Sequence, residues 1–331
     1  MENCTRIAWQ HAAAVSVSAP EKDISALSEL LPACSQKGIS REGEALCLIH
    51  DGSGGLEPYR SLIAALDSEN ERPMVLGISR IPGDGYLTLP AESLFDTLAE
   101  RYVQALQQRS IRCVWLFGYC MGGLIAALMA EKLMGAGIKV KQLIVASAYR
   151  IPFVIEDDVL LDFSLARLLK RPATDIGLDF PEEQLGLLIN QARETFGDRI
   201  PPSCIAELSS HFPQIDAVMK HAPQDSQQRL QLLAERAGFD LSTLQALRAV
   251  YVASLRAVGT FSGLGYVGDI TFLRQCGEIH FLPTLREDMT QFWRDYCLGE
   301  LTIRDIAGNH FDCLEGAGAK SVATLLSEVW A

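Results

Sequence analysis

The chain has 331 residues, of which 48% are hydrophobic and 21% charged, and a net charge of −12. That is enough apolar material for a full core, far from the composition of disordered chains, and the acidic balance argues against a nucleic-acid surface. No uninterrupted apolar run reaches the length of a membrane span. The nine cysteines are scattered, with neither CxxC pairs nor Cys/His clusters at zinc spacing.

The first residues, Met1-Glu2-Asn3-Cys4, lack the basic stretch and apolar core of a secretory signal. With an odd cysteine count this points to reduced thiols and a cytoplasmic setting. Residues 1–40 read as a linker or N-terminal extension, with a short helix over Ile24–Leu31. Ala45–His50 is a buried strand running into the glycine loop Asp51-Gly52-Ser53-Gly54-Gly55, and Tyr59–Leu66 a helix. Met74–Ile78 is the next strand. Ser93–Gln108 has helical spacing of Leu94, Leu98, Tyr102, Val103 and Leu106. Cys113–Phe117 is again a buried strand, Leu124–Leu133 a helix and Val140–Ser147 a strand. Strands alternating with helices imply a mostly parallel sheet covered on both faces, an α/β fold. From residue 153 to 265 strand signals nearly vanish, and amphipathic helices over Val159–Leu169, Pro181–Thr195, Ser226–Ala237 and Leu241–Val258 are separated by prolines. This is the pattern of a helical lid inserted between core halves at 41–152 and 266–331. The second half carries strands at Asp269–Arg274 and Glu300–Ile306, and helices at Met289–Tyr296 and Ala319–Trp330.

Chemistry concentrates where a strand turns sharply into a helix through Gly118-Tyr119-Cys120-Met121-Gly122-Gly123. G-x-nucleophile-x-G in that context is the nucleophile elbow of α/β-hydrolases, with Cys120 where serine is usual. A neighbouring imidazole and the following helix N-terminus both favour a thiolate. His310, after the last strand and before the last helix, stands where the order nucleophile–acid–histidine puts the base; His50 fits that role less well. Two backbone amides would hold an oxyanion: Met121 after the nucleophile, and Gly52 or Ser53 from the glycine loop. The plainer alternatives are a buried inert thiol, a loop histidine and an ordinary tight turn. A phosphate loop is excluded, because G-x-x-x-x-G-K-[ST] is absent, and no metal site is expected.

Together His50-Asp51-Gly52-Ser53-Gly54-Gly55…Tyr59, the elbow, Trp293…Gly299-Glu300-Leu301 and Gly308-Asn309-His310-Phe311 resemble the thioesterase domains of nonribosomal peptide and polyketide synthetases, over residues 43–331 apart from the lid. The resemblance implies an α/β-hydrolase fold and an acyl-enzyme mechanism. The partner it implies is an upstream carrier domain, which delivers a peptidyl or acyl chain on phosphopantetheine, with no cofactor of the domain's own. Two features depart from the family pattern. One is Cys120. The other is the acid: the strand end where many members carry Asp reads Val145-Ala146-Ser147. Other members place the acid one strand later, which makes Glu278 the first choice, with Asp288, Glu287, Asp157 and Asp158 behind it; a Cys–His dyad is the remaining option. Asp312 lies too near His310 in sequence. Members with a cysteine nucleophile resemble this chain and close strained rings, the β-lactone of the obafluorin type or the β-lactam of monobactams such as sulfazecin. An acyl-cysteine keeps the activation of the carrier thioester, so release by intramolecular cyclisation is the expected activity. The rivals are a free-standing editing thioesterase that hydrolyses stalled carriers, and a non-catalytic carrier-docking domain.

Overall fold

The computed structural model describes residues 27–31, 34–35, 42–69, 71–81, 83 and 85–330. The strands are β1 (Leu27–Leu31), β2 (Cys34–Ser35), β3 (Glu44–Ile49), β4 (Glu71–Arg72), β5 (Met74–Ile78), β6 (Cys113–Tyr119), β7 (Lys139–Ala146), β8 (Val154–Ile155), β9 (Arg199–Ile200), β10 (Ile270–Gln275) and β11 (Leu301–Ile306). The helices are α1 (Arg60–Asp67), α2 (Ala91–Gln108), α3 (Met121–Gly135), α4 (Asp158–Leu168), α5 (Glu182–Phe196), α6 (Cys204–Leu208), α7 (Pro213–Met219), α8 (Ser226–Ala237), α9 (Leu241–Thr260), α10 (Leu285–Tyr296) and α11 (Gly316–Trp330).

Seven strands form one sheet in the order β1-β5-β3-β6-β7-β10-β11. Six run parallel, and β1 adds antiparallel to β5 at the edge. Side chains alternate between faces along each strand. Cys47, Leu116, Val145 and Phe272 pack with α2, α3 and α10 on one side. Leu46, Phe117, Ile144 and Leu273 pack with α1 and α11 on the other. Burial on both faces explains why the central strands read as unbroken apolar runs. This is the α/β-hydrolase arrangement expected from the sequence.

Two expectations change. Leu27–Leu31 is a strand, not part of a helix: its buried ends, Leu27 and Leu31, flank exposed Ser28 and Glu29, and it completes the sheet edge beside β5. The remainder of the expected helix, at 24–26, lies outside the described residues. The segment 153–265 is helical as expected but also carries β8 and β9, a parallel pair of two residues each, too short to leave a periodic signal. Among the described residues no helix is long and apolar enough to cross a membrane.

Candidate active site

Cys120 joins β6 to α3 with φ 55° and ψ −132°. A non-glycine residue rarely adopts that conformation, and such strain persists only where the surroundings enforce it. Here they do. A Cβ on Gly118 would lie 2.2 Å from the Gly122 carbonyl oxygen, and one on Gly122 would lie 2.5 Å from that of His50. Only hydrogen atoms fit where strand and helix cross, so the two glycines set how closely α3 approaches β3. Tyr59 ties the same corner: its hydroxyl donates to the Ile49 carbonyl at 2.6 Å and accepts from the Tyr119 amide at 2.9 Å.

His310 follows β11 on a loop held from several sides. The Tyr119 hydroxyl donates to its carbonyl, and the two rings stack at 5.4 Å. The Gly277 amide donates to Gly308 at 2.7 Å. Cys120 and His310 line one cavity of about 110 Å³ beneath the lid. Among the described residues no hydrogen bond joins the two side chains. Burial raises the Cys120 thiol to about 12, helped by the nearby Asp51 carboxylate and opposed by the backbone amides of Met121 and Gly52 close to the sulfur. Burial lowers His310 to about 4. Both shifts favour a neutral thiol and a neutral imidazole over an ion pair. The two amides are those the sequence pointed to for an oxyanion, and both lie at the sulfur.

Glu278 does not orient His310, which corrects the first choice of acid. After β10 the chain folds against Gly308 and carries Glu278 out to solvent, 84% exposed, with His280 at 4.0 Å. The other carboxylates are engaged elsewhere or exposed. Asp157 caps α4, accepting from the Val159, Leu160 and Ile205 amides. Asp158 pairs with Arg248, Asp288 accepts from Thr284, Asp312 accepts from the Asn309 amide, and Glu287 is exposed. His50 is buried, donating from Nδ1 to the Asp51 carbonyl and accepting from the Tyr102 hydroxyl, each at 2.8 Å.

What meets His310 is Ser147, the residue after β7. Its Oγ lies 2.8 Å from Nδ1 and donates to Gln275 Oε1 at 3.1 Å. Gln275 ends β10. The two strand ends where the family places its acid are thus both occupied by neutral side chains, bonded to each other and to the histidine. Sequence reasoning noted the missing carboxylate at 147 and overlooked the pairing; the signal was a polar, uncharged residue at both strand ends.

The lid supplies the rest of the cavity. Phe153, Phe163, Tyr251, Leu255 and Val258 line it with Phe281 and Phe311 from the core, and no lining side chain is a Lys, Arg, Asp or Glu. Ser254 of α9 lies 2.8 Å from the Gly52 carbonyl and 2.8 Å from the Tyr86 hydroxyl. Among the described residues no group of three or more His, Cys, Asp or Glu side chains is arranged to hold a metal ion.

A parallel sheet, a strained elbow, a histidine from the last loop and a covered apolar cavity together make an α/β-hydrolase-type site. The thioesterase-domain family model matches residues 44–165. Over 290 residues the chain is 33% identical to pyochelin synthetase PchF of Pseudomonas aeruginosa, covering 88% of this chain and 15% of that protein; the chain thus spans 15% of the length of the curated relatives it matches. In fold it is similar to the four-domain nonribosomal peptide synthetase AB3403, at a TM-score of 0.55 and 17% identity over 98% of this chain and 21% of that one. It is likewise similar to the RedJ thioesterase of the prodiginine pathway in Streptomyces coelicolor, at 0.50 and 18% identity over 99% and 96%. Residues 44–165 are thus similar to the thioesterase-domain family, and the fold is similar to that of nonribosomal peptide synthetase and prodiginine-pathway thioesterase structures.

Proposed function

We propose that the domain takes an acyl or peptidyl chain from the phosphopantetheine of an upstream carrier domain onto Cys120 and releases it by intramolecular capture. His310 accepts the thiol proton as the sulfur attacks the thioester carbonyl. The Met121 and Gly52 amides hold the oxyanion. The C–S bond to pantetheine breaks, and His310 returns the proton to that leaving sulfur. In the second half an N–H or O–H of the bound chain attacks the acyl carbon. The C–S bond to Cys120 breaks, and the proton passes through His310 to the sulfur. The product is a ring, of β-lactam or β-lactone type.

The observation that carries this reading is the convergence of Cys120, His310 and the two amides on one cavity free of charged side chains. The product half rests on three further arguments. A histidine held near a pKa of 4 is a weak base for activating water, whereas a nucleophile on the bound chain attacks at high effective concentration. The thioester to Cys120 also keeps the activation that closing a strained ring needs. A covered apolar cavity slows hydrolysis of that intermediate.

The test is incubation with a substrate-loaded carrier. Intact mass should show an acyl adduct on the parent chain and none on Cys120→Ala, with release at least about 10³-fold slower in the variant. Release by Cys120→Ala at the parent rate overturns the assignment. A linear acid as the sole product overturns cyclisation and favours the editing rival. Thiol labelling that shows no preference for Cys120 would favour the docking rival.

A further inference from the structure

We infer that Ser147 and Gln275 together replace the acid of this site, as positioning residues that fix the His310 tautomer without a charge. The inference rests on the reading of His310 as the base. Hydrogen-bond direction carries it. The Ser147 hydroxyl donates to Gln275 Oε1 and has the Cys313 thiol as a further neighbour, so its only hydrogen is directed away from His310, toward which it accepts. Nδ1, 2.8 Å away, must then be the protonated nitrogen. That leaves Nε2 as the lone-pair nitrogen available to a thiol proton. A carboxylate would impose the same tautomer, as in Ser-His-Asp sites, and would also stabilise the imidazolium. The neutral pair supplies the first effect without the second.

The backbone holds the relay in place. Ser147 adopts φ 46°, an uncommon conformation for its type, and its amide donates to the Leu273 carbonyl at 2.9 Å. Gln275 is 1% exposed and Ser147 fully buried. The titratable groups near His310 are Cys120 across the cavity, Tyr119 stacked on its ring, and Cys313, whose Sγ lies 3.9 Å from its carbonyl. None of these is a carboxylate, and burial is the main cause of the low imidazole pKa. During acyl transfer no proton moves along the relay: Nε2 takes the thiol proton, Nδ1–H stays on the ring, and the serine hydrogen stays on oxygen.

Three chains test the inference: the parent, Ser147→Ala and Gln275→Glu. Histidine-selective ¹⁵N labelling, with His310→Asn for assignment, reads tautomer and titration whether or not release is measured. The parent should show the Nδ1–H tautomer at pH 7, and Ser147→Ala a mixture. Gln275→Glu keeps an acceptor for the serine and adds a charge, so the pH at which His310 titrates should rise by about one unit or more. In carrier assays Ser147→Ala should lower kcat by about 10- to 100-fold at unchanged KM. In Gln275→Glu the acidic limb of the rate profile should move up with the imidazole. An Nε2–H tautomer in the parent overturns the inference, as does a Ser147→Ala chain with the parent's tautomer and kcat. If Ser147→Ala fails to fold, an unmoved titration in Gln275→Glu overturns it instead. Release that survives His310→Ala would overturn the base reading while leaving the tautomer result standing.

Discussion

The strand ends and the lid above them are built on different physics. At the strand ends position is set by backbone. Cys120 is forced to φ 55° between glycines whose neighbours leave no room for a side chain, and Ser147 and Gln275 close strands in register with one another. The lid is a set of short helices whose mutual position is set by side chains. Asp162 of α4 accepts from Arg229 of α8 at 2.7 Å and from Arg248 of α9 at 2.5 Å. Reaction geometry thus sits on the part of the molecule least able to drift, and the shape of the cavity on the part most able to be altered.

The largest expected effect is a break in the lid alone. Asp162 and Arg229 are 1% and 2% exposed. Removing the carboxylate leaves Arg229 buried with, among the described residues, the Pro223 carbonyl as its one remaining acceptor. Loss of one partner of a buried pair costs about 3–5 kcal/mol. Asp162→Ala should therefore loosen α4, α8 and α9, seen as faster hydrogen exchange there, while the central strands keep the parent's protection. KM for the carrier substrate should rise more than kcat falls. Uniform loss of protection across strands and lid would show the two regions to be one cooperative unit, against the contrast drawn above.

The same contrast governs what could be read before any coordinates. Elbow, glycine loop and histidine announce themselves because backbone-fixed sites demand particular residue types at particular spacings: Gly118, Gly122 and the turn after the final strand have few alternatives. The mostly parallel sheet follows from strand–helix alternation, although the edge strand Leu27–Leu31 was missed because its buried leucines, four residues apart, match helical spacing. The acid went wrong for a different reason. Its search was restricted to carboxylates, which drew it to Glu278, three residues past the strand end that the geometry uses. Ser254 and Tyr251 could not be found at all: helical periodicity says which face of α9 is buried, not what it is buried against.

A second break lies under the glycine loop. Asp51 is fully buried, accepts from Ser53, and has one carboxylate oxygen without a hydrogen-bond partner among the described residues. Burial raises its pKa from 3.8 to about 6, against the lowering effect of the Ser53 bonds. A group with a raised folded-state pKa contributes stability below its unfolded value and loses it as pH rises through the folded one. The parent should lose stability between about pH 4 and pH 6 on this account. Asp51→Asn should not, and should be the more stable chain at pH 8 by roughly 2–3 kcal/mol. His310 cannot mimic this, since its lowered pKa slopes the other way and costs stability as pH falls. Urea unfolding of both chains from pH 4 to 8 measures it; parallel curves would mean that Asp51 ionises in the folded chain at the same pH as in the unfolded one.

The smallest expected effect tests a place where a lid helix and the glycine loop touch through polar groups. The Ser254 Oγ lies 2.8 Å from the carbonyl of Gly52, whose amide is at the Cys120 sulfur, and 2.8 Å from the Tyr86 hydroxyl. Ser254→Ala removes the acceptor for Tyr86 and a donor shared between the Gly52 carbonyl and the Val250 carbonyl, also at 2.8 Å, a loss of about 1–2 kcal/mol. Because the loop bearing the oxyanion amide is what loosens, the loss should fall on kcat, by about tenfold, with KM little changed. A change in apolar lining on the same helix, such as Leu255→Ala, should do the reverse, raising KM and sparing kcat. If both variants move KM alone, α9 only shapes the cavity, and the oxyanion loop holds its geometry without help from the lid.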